Sequence, residues 1–438
     1  LKKRSLRFFY ILVIGLLALL ALQPLRAQEA VTLQVWDFGG VEFERMDSLL
    51  IPAFEEQFPN IKIEHLGVPE SDYNLKMETA IASNQVPDVA LQSYAYKLWR
   101  AGHVRPLDDF MERDGFNVDD FYPIFQSWNT LDGVAYAFPA NMYLWGMVIN
   151  VDMFEEAGIP IPSIDESITY SQWLDYARAL NKPSDDFNTR VWGSMHFIPN
   201  WNAMNNFMSD PYILGADGRD CLQSAQTQDW IDTWTAMLTA YNEQLTPDST
   251  PNLTADYAGD FFQEGKVAMT YGTESVMIAA QTAGLNVAFV GQPVVTPGWQ
   301  GNVGAWATSY SIMTASQYHE EAWTFIKWMG TDGAVLLSKA GSTAGNVENG
   351  SSPPTYRPLA QEWAGSDPFR LEVLALQERV APPPFSPDIW TSVEPFSVAW
   401  QRMTQEGESV ESAVAAAAEE CQYITDDLWD TWEFLASS

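Results

Sequence analysis

Apolar and polar residues alternate through Val31-Thr32-Leu33-Gln34-Val35, a period of two that predicts a strand with one buried face. Trp36-Asp37-Phe38-Gly39-Gly40 follows and reads as a loop. The period then lengthens. Met46, Leu49, Leu50, Phe54 and Phe58 recur at spacings of three and four, which predicts a helix whose first turn Pro52 kinks or restarts. Asn60 turns the chain into a second strand at Ile61-Lys62-Ile63-Glu64, and Tyr73, Met77, Ala80 and Ile81 mark another helix. Pro87-Asp88 introduces a strand at Val89-Ala90-Leu91. Strand and helix alternate, and neighbouring parallel strands need a crossover between them, so the pattern predicts a parallel sheet flanked by helices. Ligands of such open sheets bind beyond the carboxyl ends of the strands, where segments 36–40 and 92–96 project.

Further along, Gln172 to Leu180 reads as an amphipathic helix introduced by Thr169 and Ser171, and Asp229 to Tyr241 repeats the pattern. Phe197-Ile198-Pro199-Asn200-Trp201-Asn202 lies between them, irregular and aromatic. Lys266 to Thr270 reads as a strand ending at Tyr271-Gly272, and Asn286 to Val290 as another, followed by Pro293 and Pro297 in a segment suited to crossing between lobes. Glu320 to Met329 predicts a helix stopped by Gly330. The proline-rich stretch Pro353 to Pro387 is expected to wrap the surface, and Ser409 to Glu420 to close the chain as a helix.

The amino end follows different rules. Lys2, Lys3, Arg4 and Arg7 precede an unbroken apolar run from Phe8 to Leu22, then Leu25-Arg26-Ala27, the pattern of a secretory signal peptide over residues 1–27. The run is shorter than the roughly 20 residues that span a bilayer. Cys221 and Cys421 lie far from this region, which excludes a lipid anchor on a cysteine just after the signal. They are free to pair or to stay reduced and buried, since spacing alone does not give distance. The remaining residues exceed one compact core, so two lobes are expected.

The formal net charge is −34, and residues 1–27 hold five Lys/Arg and no acid. A field of that sign repels phosphate backbones and excludes nucleic acid as a partner. His65, His103, His196 and His319 are scattered, with no metal-ligand spacing, and no G-x-S-x-G elbow, phosphate loop or dinucleotide fingerprint occurs. Neither a metal nor a cofactor is expected, and no carboxylate pair is singled out for catalysis. The chain is rich instead in flat faces: 18 Trp, 17 Tyr and 23 Phe, many in predicted loops. Such rings suit the C–H faces of sugars, and Asp, Glu, Asn and Gln suit sugar hydroxyls, although most aromatics must fill cores.

Several segments in a shared order carry a resemblance. They are Phe54-Glu55-x-x-Phe58-Pro59-Asn60-Ile61-Lys62-Ile63; Ala80-Ile81-Ala82-Ser83 with Pro87-Asp88-Val89; Pro106-Leu107-Asp108; and Asp132-Gly133-Val134-Ala135-Tyr136-Ala137-Phe138-Pro139. Asn150-x-Asp152-x-Phe154-x-x-Ala157-Gly158-Ile159, then Thr169-Tyr170-x-x-Trp173, Phe262-x-x-Gly265-Lys266-Val267-Ala268-Met269 and Ala322-Trp323-x-Phe325-Ile326-Lys327, complete the series. Through these the chain resembles the extracellular (family 1) solute-binding proteins of ABC importers, within the sugar-binding group that includes maltose-binding protein.

That resemblance implies an α/β fold of the periplasmic-binding-protein type II kind, with two α/β lobes joined by a multi-segment hinge and a ligand cleft between them. Residues 28–137 with 294–332 would form the N-terminal lobe, and 138–293 with 333–438 the C-terminal lobe. The implied ligand contacts are Trp36, Asp37 and Phe38 after the first strand, Gln92 and Tyr94 after the third, and Asn141, Tyr143 and Trp145 in the crossing region. Trp201 and Asn202 in the irregular segment, Glu274, Trp306 and Trp390 complete the set. Where many relatives place an aromatic near Tyr271-Gly272-Thr273-Glu274, this chain offers a carboxylate. The implied partners are a mono- or oligosaccharide and the membrane permease subunits, with the protein monomeric, free in the periplasm and not an enzyme. Rival solutes are a polyol, a glycerophosphodiester or a peptide, and a secreted carbohydrate-active enzyme is the rival from another class. Phosphate-bearing ligands fit poorly because these candidates include no Arg or Lys.

Overall fold

A computed structural model of the chain describes residues 30–38, 45–91, 95–165, 167–195, 213–215, 217–247, 258–299, 303–339, 353–380 and 385–437. The signal segment 1–27 and the expected contacts Gln92, Tyr94, Trp201 and Asn202 lie outside the described residues.

The predicted opening strand forms and runs further than its alternation suggests. β1 spans Val31–Phe38, so Trp36, Asp37 and Phe38 belong to the strand, not to a loop. They are held there by parallel pairing with β2 (Ile61–Val68), in which Trp36 faces Leu66, Asp37 faces Gly67 and Phe38 faces Val68. Leu33 and Val35 are fully buried beneath it. Between the two strands a π-helical turn, Met46–Leu50, leads into the helix Ile51–Gln57, with Pro52 in its first turn, the restart that proline requires. After the helix Glu70–Ser83, β3 (Val89–Leu91) pairs in parallel on the other side of β1.

Beyond β3 the expected all-parallel sheet gives way to a mixed one. After a hairpin of β4 (Thr130–Leu131) and β5 (Val134–Ala135), β6 runs from Phe138 to Asn150. β7 (Met269–Thr273), β8 (Val287–Val290) and β9 (Gly304–Ile312) complete the sheet, ordered β2-β1-β3-β9-β6-β7 with β8 also on β6. β9 is antiparallel to both β3 and β6, and β7 and β8 are antiparallel to β6. Local strand–helix alternation dictates parallel pairing only through βαβ units, and β6 meets β9 after a long excursion that imposes no direction.

Two large cores flank this sheet. One gathers Val35, Phe54, Trp99, Trp323 and Phe325 around β1–β3, and the other gathers Trp173, Trp230, Trp234, Phe396 and Val414. β6 serves both, because Phe138 and Ala140 enter the first core while Met147 and Ile149 enter the second. Met142 and Leu144 fall between them, in a smaller cluster with Trp128, Ala360 and Val373. Each fully buried large side chain contributes about 1.5–3 kcal/mol relative to exposure, so each core supports a rigid body of its own.

Three more expectations change. Gly330 does not stop its helix: His319–Trp328 passes through a π-helical turn, Met329–Gly333, into Ala334–Lys339. A Cβ on Gly330 would lie 2.4 Å from the Pro139 carbonyl oxygen and 2.5 Å from the Phe138 ring, so the glycine is there for close approach to β6. The proline-rich stretch does not merely wrap the surface. Pro358 and Pro368 sit in the first turns of helices Arg357–Ala364 and Pro368–Gln377, which bury Ala360, Val373 and Leu376. The last helix runs from Val410 to Ser437. It begins in the second core, yet buries Trp432 in the first, beneath Arg100 at 4.2 Å. Leu336 and Leu337 also pack on the first core, although segment 333–438 was expected in the second lobe. Cys221 and Cys421 form a disulfide with Cα atoms 5.9 Å apart, inside the second core.

Candidate functional site

The carboxyl end of β1 carries a charged cluster. Asp37 is fully buried, and the Nε2 of His65 donates to its Oδ1 at 2.7 Å. The Nδ1 of His65 faces the Oδ1 of Asp47 at 2.9 Å. A histidine held between two carboxylates can donate from both nitrogens when it is protonated. Burial opposes the charge on His65, but Asp37 and Asp47 outweigh it and hold its pKa above the ordinary value. Burial likewise pushes the Asp37 carboxyl up, with His65 and the Tyr310 hydroxyl offsetting part of the effect. Tyr310, on β9, donates to the Oδ2 of Asp37 at 3.4 Å. Both oxygens of Asp37 therefore face protein donors. The Tyr73 hydroxyl donates to the carbonyls of Leu91 at 3.0 Å and Trp36 at 3.2 Å, tying the ends of β1 and β3 together.

On the other face of β1, the Lys76 ammonium sits 4.9 Å from the centre of the Trp36 ring, and Phe38 meets Tyr73 edge to face at 5.0 Å.

The second edge is aromatic. Along β6, Asn141, Tyr143 and Trp145 share one side of the strand, alternating with Met142 and Leu144 on the buried side. Tyr143 pairs with Trp306 across β9. Trp145 stacks on the diagonal neighbour Tyr271 of β7, with centroids 5.0 Å apart and planes 18° from parallel. Gly146 lets the strands close up there, since a Cβ on it would lie 2.6 Å from the Phe289 ring. Two donors on this side, the Nδ2 of Asn141 and the Nε1 of Trp145, are buried without an acceptor among the described residues. Buried donors are nearly always satisfied, so such a pair asks for a ligand acceptor or a second conformation.

The structure thus gathers Trp36, Asp37 and Phe38 at one edge, and Asn141, Tyr143, Trp145 and Trp306 along the strands β6 and β9. Glu274 opens the helix that follows β7, and Trp390 lies on the helix Ile389–Val393. Sequence reasoning missed His65, Tyr310 and Tyr271. His65 had a signal: Ile61, Ile63 and His65 share the inward face of β2, a polar residue on an apolar side. Its partner Asp37 becomes visible only through the parallel register that sets Val35 against His65. Among the described residues no group of three His, Cys, Asp or Glu is arranged to hold a metal ion. No helix among them is long and apolar enough to cross a membrane.

Two α/β bodies sharing a continuous strand, with a charged edge and an aromatic edge along it, have the build of a two-lobed binding protein. Residues 41–335 match the profile of the bacterial extracellular solute-binding proteins, and the chain belongs to that family. A Brucella abortus chain provisionally named a binding protein is 24% identical over 281 residues, 63% of this chain and 66% of the relative. An Escherichia coli K12 chain with the provisional name ABC transporter periplasmic-binding protein YcjN is 29% identical over 158 residues, 34% of each chain. These alignments span less than two thirds of the relatives' lengths.

Solved structures are alike over more of the chain. An ABC substrate-binding protein from Listeria monocytogenes in complex with cycloalternan matches with a TM-score of 0.70 and 17% identity, covering 90% of this chain and 99% of the other. Maltose-bound MalE3 of T. maritima matches with a TM-score of 0.71 and 16% identity over 90% and 100%. An Agrobacterium vitis solute-binding protein with bound D-mannitol gives 0.71 and 20% over 90% and 98%. This likeness shows the fold, the two-lobed type II architecture of periplasmic solute-binding proteins.

Proposed function

We propose that the chain is the substrate-binding component of an ABC transporter, exported by its signal segment, which captures a carbohydrate between its lobes and delivers it to permease subunits. One observation carries the reading: β6 passes between two separate cores and presents Asn141, Tyr143 and Trp145 there, with two buried donors lacking acceptors among the described residues. Sugar hydroxyls supply such acceptors, and the Trp145–Tyr271 stack offers a flat face to a pyranose ring. The ligands named for the similar structures, cycloalternan, maltose and D-mannitol, are of this polyhydroxylated class. β6 and β9 act as the crossing strands about which the lobes close, so a ligand touching both lobes favours the closed form.

D-mannitol in one similar structure makes a polyol the second reading. A hydrolase is disfavoured by the state of Asp37, whose oxygens are committed to His65 and Tyr310. A thermal-shift screen across neutral sugars, sugar acids and polyols tests the proposal, because a ligand that binds the native state raises its melting temperature. At least one carbohydrate or polyol is expected to give a saturable rise and to be recovered chemically intact after long incubation. No rise with any of them, or turnover of the ligand, would defeat it.

A further inference from the structure

The last helix has its root in one lobe and its tip in the other. Val410, Val414, Ala418 and Cys421 sit in the second core, whereas Trp432 is buried in the first. At 1.5 Å per residue the unbroken helix carries that ring about 16 Å beyond the disulfide, as a stiff arm. Helix ends fray when nothing holds them, so a buried tryptophan in the next-to-last turn marks a contact that orders this one.

The root is fastened to the second lobe by more than packing. Besides the Cys221–Cys421 bridge, the Gln422 side chain accepts from the Cys221 amide at 3.0 Å and donates to the Arg219 carbonyl at 2.9 Å. The Nε1 of Trp429 donates to the Gly218 carbonyl at 3.1 Å, and the Arg219 guanidinium lies 3.7 Å over the Trp429 ring while pairing with Glu433 at 3.1 Å. Arm and residues 218–221 therefore move as one piece. The tip is seated in the first lobe. Arg100, which pairs with Asp132 at 3.2 Å, lies 4.2 Å over the Trp432 ring. Phe385 meets Trp432 at 5.1 Å, Trp429 at 5.5 Å and Tyr96 at 4.9 Å. Tyr96 and Arg100 share the helix Tyr96–Arg100 with Trp99, whose ring stacks on Tyr136 at 5.4 Å with planes 9° from parallel. Tyr136 lies just before β6, so this socket borders the entry to the crossing strand. A rotation of the lobes about β6 and β9 displaces atoms least there. A contact near the axis can hold while the lobes turn, whereas one far from it must break.

We propose that the tip of the last helix is a pivot: Trp432 stays in its socket beside Tyr96, Arg100 and Phe385 as the lobes open and close. The helix is then a further connection between the lobes, joining the covalent crossings at β6 and β9 and confining their motion to a hinge. This rests on reading the lobes as closing upon a solute, and it adds what keeps them aligned between captures. The gain is preorganisation, because lobes that swing about a pinned axis lose less freedom when a solute bridges them.

Double electron-electron resonance on the full, ligand-free chain tests the pivot, with nitroxide labels on Glu112→Cys in the first lobe and Glu155→Cys in the second, both exposed positions. Trp432→Ala is expected to broaden the interlobe distance distribution about twofold or more, and Trp432→Phe, which keeps a ring in the socket, to stay near the wild type. Circular dichroism checks that each variant is folded. Should Trp432→Ala fail to fold, Arg219→Ala with Glu433→Ala takes its place, because it loosens the arm at an exposed ion pair and should broaden the distribution by a smaller factor. Hydrogen exchange gives an independent reading. Peptides spanning 96–101 and 427–434 should be protected in the wild type, and should remain so when it is saturated with a sugar or polyol that raises its melting temperature. An unchanged distribution in the folded variant, exchange of 427–434 as fast as a frayed end, or loss of its protection with ligand would overturn the pivot while leaving the sugar-binding reading intact. Failure of every sugar and polyol would remove that reading alone, since the ligand-free distances still decide the pivot.

Discussion

The two edges of the site are built from opposite chemistry. At the carboxyl end of β1, Asp37 and His65 bring charges into a poorly hydrated setting and hold each other there, with the exposed Asp47 on the outer nitrogen of the ring. Along β6 and β7 the groups are rings and amide or indole donors, and two of those donors have no acceptor among the described residues. A charged edge fixes polar groups by direction, whereas an aromatic edge accepts a flat apolar face with little angular demand. Under the proposed function, the difference teaches that orientation and adhesion fall to different edges, so a solute would satisfy the site only by touching both.

The lobes also differ in what holds them. The second core contains the Cys221–Cys421 bridge between chain segments 200 residues apart, while the first relies on packed rings such as Phe54 against Phe325 and Phe110 on Trp323. The largest effect that sharpens this contrast is the double substitution Cys221→Ser with Cys421→Ser. It should cost about 2–5 kcal/mol of stability, read as an earlier denaturant midpoint for the second lobe's tryptophan signal. Equal loss across both lobes would erase the contrast.

Next in size is Trp145→Ala. Removing the ring that stacks on Tyr271 should lower ligand affinity by about 2 kcal/mol, close to 30-fold, in calorimetry, as central aromatic anchors do. An unchanged affinity would move adhesion away from β6.

The smallest effect is a pH dependence confined to the charged edge. The pKa of His65 is raised above 6.5 in the folded state, so its contribution to stability is complete below about pH 6.5 and is lost as pH rises through the folded value. The groups facing it are Asp37 and Asp47, with Tyr310 and Tyr73 close to Asp37. The wild-type melting temperature should fall across that window, and His65→Gln should lose the fall. The same slope in the variant would assign it to other groups.

Much of the architecture was legible because local periodicity reports local structure. The helix Tyr170–Leu180 forms where predicted, with Thr169 and Gln172 completing a capping box, and β1 to β3 form a parallel unit from nothing more than alternation and spacing. What local pattern does not encode is pairing at long range. The antiparallel β6–β9 contact, the passage of the last helix from one core to the other, and the Asp37–His65 contact all depend on register between distant segments. Gly330 and the prolines at 358 and 368 were misread because each residue type has two structural uses, and only the neighbours decide between them. Within the candidate site, the resemblance pointed to β6 and the end of β1, but His65 entered only through the strand register that brings it to Asp37.

The central claim is that one solute must bridge a charged lobe and an aromatic lobe and thereby draw them together. Small-angle X-ray scattering of the full chain, with and without a saturating ligand from the thermal-shift screen, tests it most directly. The account predicts a smaller radius of gyration with ligand, and loss of that compaction in Trp145→Ala at the same ligand concentration. A tight ligand that leaves the radius unchanged would contradict it.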